Sequence, residues 1–353
     1  MSYLNKSILL VCLIFFGING NCVLAEELII GTTFSQVQCE YLKLDWQDTY
    51  IETLNMGFPI IRLGAYWSRI EQEKDVYDFS ELDWQIKKAK DKNTKVLLTV
   101  GMKAPRWPEY FIPTWIENDL VIKSATAISD KTYLRERTLI FIRKVVERYN
   151  SEKIIIAWQV ENEPLSRSGP NDSWIRREFL KEEIEVVKEL DNKDRPIVVN
   201  AMTYSNSFLR LLTNLIYKKN PIYETIDIAE IPAINVYPTI GHKFFFKKMC
   251  FWTNPKKRIK YFKQFTDYAE SQDKDMWVTE LQAEPWEPGE LVHIAPEEAI
   301  TCRADSFAET FEELNSLGIK TIFLWGVEYW IFRDKKHQDE SWLEAFEKIT
   351  KIN

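Results

Sequence analysis

The chain is poor in the residues that metal, redox and nucleotide chemistry use. Its 353 residues contain three His (His242, His293 and His337) and five Cys, with no C-x-x-C and no H-E-x-x-H, so a dedicated zinc site is not expected. There are only 11 Gly. The one in the first strand candidate, Gly31-Thr32-Thr33-Phe34, lacks the G-x-G-x-x-G spacing that lets a backbone approach a pyrophosphate. A strongly basic stripe is missing: 46 basic against 53 acidic residues leave a net charge of −7, which argues against nucleic acid or an anionic membrane as the main partner. No Pro/Gly/Ser-rich linker or low-complexity tract divides the chain, so one domain is expected. No metal and no cofactor are implied, which leaves carboxylates as the groups to carry any chemistry.

Aromatic residues are plentiful, with 13 Trp, 15 Tyr and 20 Phe, enough for a large core with rings left over. Residues 1–25 hold one cation, Lys6, then an apolar run over 8–18, then a polar stretch ending Val23-Leu24-Ala25. That is the pattern of a secretory signal cleaved after Ala25. It implies a secreted or periplasmic protein of residues 26–353; an uncleaved anchor is the alternative. No later apolar run is long enough to span a membrane. Three Cys remain after residue 25 (Cys39, Cys250 and Cys302), so at most one disulfide can form and oxidation does not hold the fold together.

Eight short apolar runs rich in β-branched residues fall at 28–33, 59–65, 95–101, 154–160, 196–200, 228–236, 275–280 and 320–326. Amphipathic helical patterns lie between them. In 80–89, Leu82, Ile86 and Ala89 recur at helical spacing behind Ser80 as N-cap; in 132–149, Leu134, Leu139, Ile142, Val145 and Val146 share one face. Further helices fit 46–54, 173–190, 207–217, 255–269, 296–317 and 341–349. Eight buried strands alternating with eight helices predict an α/β fold, a single (β/α)8 TIM barrel.

In such a barrel the loops after the strands form the active face. The fourth strand ends in Glu161-Asn162-Glu163-Pro164, and the seventh in Glu280. Alone, the first is equally a solvated loop start, and the second a salt-bridge partner. Together they place two carboxyls across one barrel mouth.

On these residues the chain resembles the clan A retaining glycoside hydrolases with (β/α)8 barrels, which include β-galactosidases, cellulases, mannanases and xylosidases. The resemblance covers essentially all of residues 26–353 and implies Glu163 as acid/base, Glu280 as nucleophile and Asn162 as a donor to the sugar 2-hydroxyl. The stretch 61–79 looks like the second-strand region of family 42 β-galactosidases, which makes Arg62 the nucleophile's support. Tyr237 and Trp325 are similar to the clan's nucleophile-contacting Tyr and sugar-stacking Trp. The chain departs from the pattern at Asn235, where many members carry His, and at Val100-Gly101-Met102-Lys103, where many cellulases carry one. The implied reaction is retaining hydrolysis of a β-linked oligo- or polysaccharide. A transglycosylase using the same two Glu, or a non-catalytic carbohydrate-binding barrel, are the alternatives.

Weaker candidates surround these. Glu161 is a second possible acid, with a supporting hydrogen bond as its plainer role. Glu284 and Glu328 lie in loops of the active face, either touching sugar hydroxyls or, as the better reading, standing as solvated loop acids. Trp67, Trp107, Trp286 and Trp330 fall where rings either stack on sugars, as assigned to Trp67 and Trp286, or pack the core. The basic run from Phe244 to Lys260 reads as loop and helix surface, or as a face for an acidic sugar or another chain.

Overall fold

A computed structural model describes residues 28–118, 123–217, 219–244 and 247–351; the segment read as a secretory signal lies outside the described residues. In chain order the strands are β1 (Ile29–Thr33), β2 (Ile60–Gly64), β3 (Lys95–Val100), β4 (Ile155–Val160), β5 (Ile197–Met202), β6 (Ile231–Val236), β7 (Thr239–Phe244), β8 (Lys247–Trp252), β9 (Trp277–Gln282) and β10 (Thr321–Trp325). All but β7 and β8 form a closed parallel barrel, with β6 beside β9 and β10 returning to β1. β7 and β8 pair as an antiparallel hairpin in the loop after β6, where the sequence had suggested only loop and helix surface.

The eight barrel strands coincide with the eight apolar runs because a parallel strand is covered on both faces and so reads as continuous apolar sequence. Helix Thr132–Tyr149 matches its expected bounds, but others are shorter: Arg177–Leu190 and Ala304–Asn315 replace 173–190 and 296–317. Ser80 is the first residue of helix Ser80–Asp91 rather than its N-cap, its N–H bonded to Asp78 Oδ1 at 2.9 Å. Ile228, expected to start the sixth strand, instead ends a second helix between β5 and β6, Pro221–Ile228. Asn220 caps that helix through Ile222 N at 3.0 Å, and Pro221 supplies a first-turn residue without an N–H.

Inside the barrel the strands build an apolar floor and a polar layer above it. Ile60, Leu97, Ala157, Val198, Ala233 and Phe323 pack together, with Trp277 against them. Side chains two residues apart on a strand share a face, so the next inward positions are Arg62, Thr99, Gln159, Asn200, Asn235, Trp325 and Thr279. The floor closes tightly over β1: a Cβ on Gly31 would lie 2.7 Å from Ile60 Cγ2 and 2.8 Å from Phe323 Cδ1.

β9 breaks the alternation. Val278 pairs with Ile234 and Ile322, but the next pairs are Glu280 with Asn235 and Leu281 with Leu324. β9 therefore carries one residue more than either neighbour, a β-bulge at Thr279. It allows Thr279 and Glu280, adjacent in sequence, both to make hydrogen bonds inside the barrel.

Gly31→Ala is expected to overpack this floor and cost about 1–3 kcal/mol, read as a lower denaturant midpoint at unchanged slope.

Candidate active site

Glu280 is held by two donors of different kinds. Arg62 Nη1, from β2, donates to its Oε1 at 2.7 Å, and the Tyr237 hydroxyl, just past β6, donates to its Oε2 at 2.7 Å. Arg62 is itself completely buried. Its Nε donates to Gln159 Oε1 at 2.7 Å and its Nη2 to Asn162 Oδ1 at 2.6 Å, so one guanidinium fixes β2, the end of β4 and β9 together. Arg62 thus supports Glu280 from below and does not line the cavity.

Glu163 has a different environment. Asn235 Nδ2 donates to its Oε1 at 2.6 Å, and Asn200 Oδ1 accepts from its backbone N–H at 2.7 Å. Lys103 Nζ donates to its carbonyl at 2.9 Å. Asn235, a departure from the resembled pattern, is therefore the residue that contacts Glu163. Asn200 Nδ2 reaches Asn162 Oδ1 at 3.0 Å and Thr279 Oγ1 at 3.0 Å, and the Thr279 hydroxyl donates to Asn235 Oδ1 at 2.7 Å. With its Oδ1 held by both Arg62 and Asn200, Asn162 has its NH2 left to offer on the cavity side. Glu161 and Glu163 both have positive φ, 61° and 48°, backbone states that non-glycine residues adopt at a cost.

These surroundings separate the two carboxyls electrostatically. Burial pushes Glu163 up to about 8, with the negative charge of Glu280 as the second cause. Burial raises Glu280 too, but Arg62 and Tyr237 pull it back toward the ionised form. Glu163 is the group favoured to hold the proton, and Glu280 the one favoured to be anionic.

Both line a cavity of about 490 Å³ with Asn162, Tyr237, Trp325, Trp286 and Trp107. Trp286 is 43% exposed and sets its edge against Tyr237, ring centroids 5.4 Å apart. Trp325 carries the Arg106 guanidinium 3.9 Å from its ring centroid. Arg106 in turn is bonded to Glu284 and, through Nη2 at 3.0 Å, to Glu328 Oε2. Glu328 Oε1 accepts from Ser35 N at 2.5 Å, and Glu284 Oε2 accepts from Gln38 Nε2 at 3.1 Å. Both acids are buried, so their reading as solvated loop residues is overturned by a cation that the sequence places far away. Trp67 is corrected as well, and of the two readings of Trp330 core packing is the one the structure shows. Each is 0% exposed: Trp67 stacks on Phe141 and bonds Glu71, and Trp330 stacks on Phe307 and donates to the Ala283 carbonyl.

Glu161 does not line this cavity. Its carboxyl accepts from Met102 N at 2.8 Å and Lys103 N at 2.5 Å, and a Cβ on Gly101 would come within 2.2 Å of it. It lies beside Glu183, which is also completely buried and whose oxygens have no other partner among the described residues. Burial raises Glu161 to about 7, and burial plus the Glu161 charge push Glu183 well above the ordinary carboxyl range. Two carboxyls in this position share a proton.

A closed barrel thus carries an Asn-Glu pair after β4 and a Glu on β9, both facing one cavity. The sequence pattern of glycoside hydrolase family 42, described as β-galactosidase, matches residues 40–193. No curated protein matches the chain. Among solved structures, a β-galactosidase from Rahnella sp. R3 is similar at 14% identity and a TM-score of 0.57, over 85% of this chain and 50% of that one. A β-galactosidase from Halorubrum lacusprofundi matches at 14% identity and a TM-score of 0.56, over 84% and 52%. Xylanase 10B from Thermotoga maritima matches at 15% and 0.55, over 93% of this chain and 97% of that one. At these identities the likeness is one of fold, and the chain spans about half the length of the β-galactosidases it resembles.

Arg62→Met would leave Glu280 buried without its cation. The expected result is a stability loss of about 3–5 kcal/mol, and protonation of Glu280 at higher pH, seen as an upward move of the acidic limb of any Glu280-dependent activity. For the Glu161–Glu183 pair the folded chain keeps a proton that the unfolded chain has released. Its contribution to stability therefore falls as pH rises from the ordinary carboxyl range, roughly 4.5, through the raised folded values. Glu183→Gln removes that proton requirement, so its thermal midpoint should fall less than that of the wild type across the same window.

Proposed function

We propose that the protein is a secreted retaining glycosidase that cleaves β-linked oligo- or polysaccharides through a glycosyl ester on Glu280. The observation that carries this reading is the unequal treatment of two carboxyls in one cavity: Glu280 receives a guanidinium and a phenol, Glu163 an amide. Cleaving a glycosidic bond needs a nucleophile for the anomeric carbon and a proton for the leaving oxygen. Glu280, anionic, attacks; Glu163, protonated, donates to the departing oxygen. Formation of the ester removes the charge on Glu280, which was one cause of the high proton affinity of Glu163. The Glu163 proton affinity then drops, and the same group accepts a proton from the incoming water. Asn162 would donate its NH2 to the sugar 2-hydroxyl, while Trp286 and Trp325 offer ring faces or edges to the sugar. The N-terminal apolar segment supports export. The β-galactosidase description of the matching family supports aryl β-galactosides as the first substrates to try.

Both Glu163→Gln and Glu280→Gln should be assayed on aryl β-glycosides. For Glu163→Gln the expected loss is about 10²–10⁴-fold on poor leaving groups and much less on activated ones, whose departure needs no proton; Glu280→Gln should lose turnover on both. Wild-type kcat/KM should fall as pH rises through the Glu163 value of about 8, because the acid must be protonated, and should fall again at low pH as Glu280 is neutralised. Wild-type turnover in both variants would sink the assignment.

A further inference from the structure

The acidic net charge conceals a local reversal. Residues 207–219 and 239–263 hold eleven Lys and Arg and no Asp or Glu, in a chain whose net charge is −7. The two stretches meet in space. Helix Ser207–Ile216 follows β5 and the β7–β8 hairpin follows β6; Asn206 Nδ2 donates to the Trp252 carbonyl at 3.0 Å, Ser205 Oγ to Thr253 Oγ1 at 3.1 Å, and Phe208 stacks on Phe251 at 6.0 Å and 12°.

This basic region also exposes a run of large apolar side chains. Along the helix Leu209 turns inward, yet Phe208, Leu211, Leu215 and Ile216 are exposed, Leu215 by 75%; the hairpin adds Met249 and Trp252, the latter 67% exposed. Lys256, Lys257 and Lys260 at the start of helix Pro255–Glu270, and Lys219, are exposed around them. A surface helix of a soluble protein keeps its apolar stripe against the core, and an apolar patch of this kind rimmed by polar groups marks a contact surface.

We propose that this surface docks the protein on an anionic lipid bilayer. Leucine, isoleucine and tryptophan side chains enter the boundary between headgroups and acyl chains, and the surrounding lysines pair with anionic headgroups. Charge decides between this partner and a second copy of the chain, because a two-fold contact through the same patch sets its cations against each other. Among the described residues no helix is long and apolar enough to cross a membrane, so the docking lies in the plane of the interface. Both elements belong to loops at the C-terminal ends of strands, and Met202 at the end of β5 lines the catalytic cavity. Docking therefore keeps the cavity mouth near the bilayer. The inference stands whether or not the glycosidase reading holds.

The test is co-sedimentation of the full chain with vesicles of phosphatidylcholine alone and of phosphatidylcholine mixed with phosphatidylglycerol, at low and high salt. The expected result is binding to the anionic vesicles, weakened by salt and about tenfold weaker on phosphatidylcholine. Leu211→Ser with Leu215→Ser should reduce that binding about tenfold at an unchanged thermal midpoint, and Lys256→Glu with Lys257→Glu should abolish the preference for anionic lipid. Every variant retains the N-terminal segment, so differences between variants report on the patch. Equal binding of wild type and both double variants overturns the proposal. So does a wild-type dimer in light scattering that Leu215→Ser converts to monomer without any lipid binding.

Discussion

A guanidinium with no access to water stands at the centre of this barrel, and its need for acceptors organises what surrounds it. A buried cation without partners is strongly destabilising, and Arg62 meets the requirement with Gln159, Asn162 and Glu280, from the far strands β4 and β9. Each acceptor is in turn held. Gln159 donates to the Glu161 carbonyl, Asn162 accepts a second bond from Asn200, and Glu280 takes the Tyr237 hydroxyl. Through Asn200 and Asn235 the same network reaches the backbone and the carboxyl of Glu163. The two carboxyls therefore do not hold their places separately. They are the two ends of one hydrogen-bonded layer resting on an apolar floor, and a partly satisfied layer of this kind is worse than none.

A second cation arranges the cavity wall. Arg106 covers one face of Trp325 while binding Glu284 and Glu328, so the ring is clamped in one orientation. Burial raises Glu328 to about 7, and the charge of Arg106 opposes that rise. This wall joins Arg106, after β3, and Glu284, after β9, to Trp325 and Glu328 at the end of β10 and the start of the helix that follows.

That separation explains what the sequence did and did not disclose. The strands were legible because burial on both faces writes itself as uninterrupted β-branched sequence. Glu163 and Glu280 were legible because each follows such a run with a carboxyl at the mouth. Asn200, Lys103 and Arg106 were not, since nothing local distinguishes a polar residue that closes a network from one that meets water. The same ambiguity let Trp67 pass for a sugar platform and left Trp330 undecided: a large ring beside a strand end serves core and ligand equally well. Helix Pro221–Ile228 lay almost wholly in a stretch to which the pattern assigned no element, and the β7–β8 hairpin overlapped a run that read as loop and helix surface.

The bulge at Thr279 sets the phase of β9. Below it the strand shows its odd-numbered side chains to the barrel axis, and above it the even-numbered ones, so one surplus residue converts an outward position into an inward one. With Thr279 present, Glu280 owes its inward aim to that half-period shift rather than to its place in the run. Loss of Thr279 would straighten the strand without turning the carboxyl away: Glu280 would follow Val278 directly, still inward, and what would vanish is the hydroxyl held between Asn200 and Asn235.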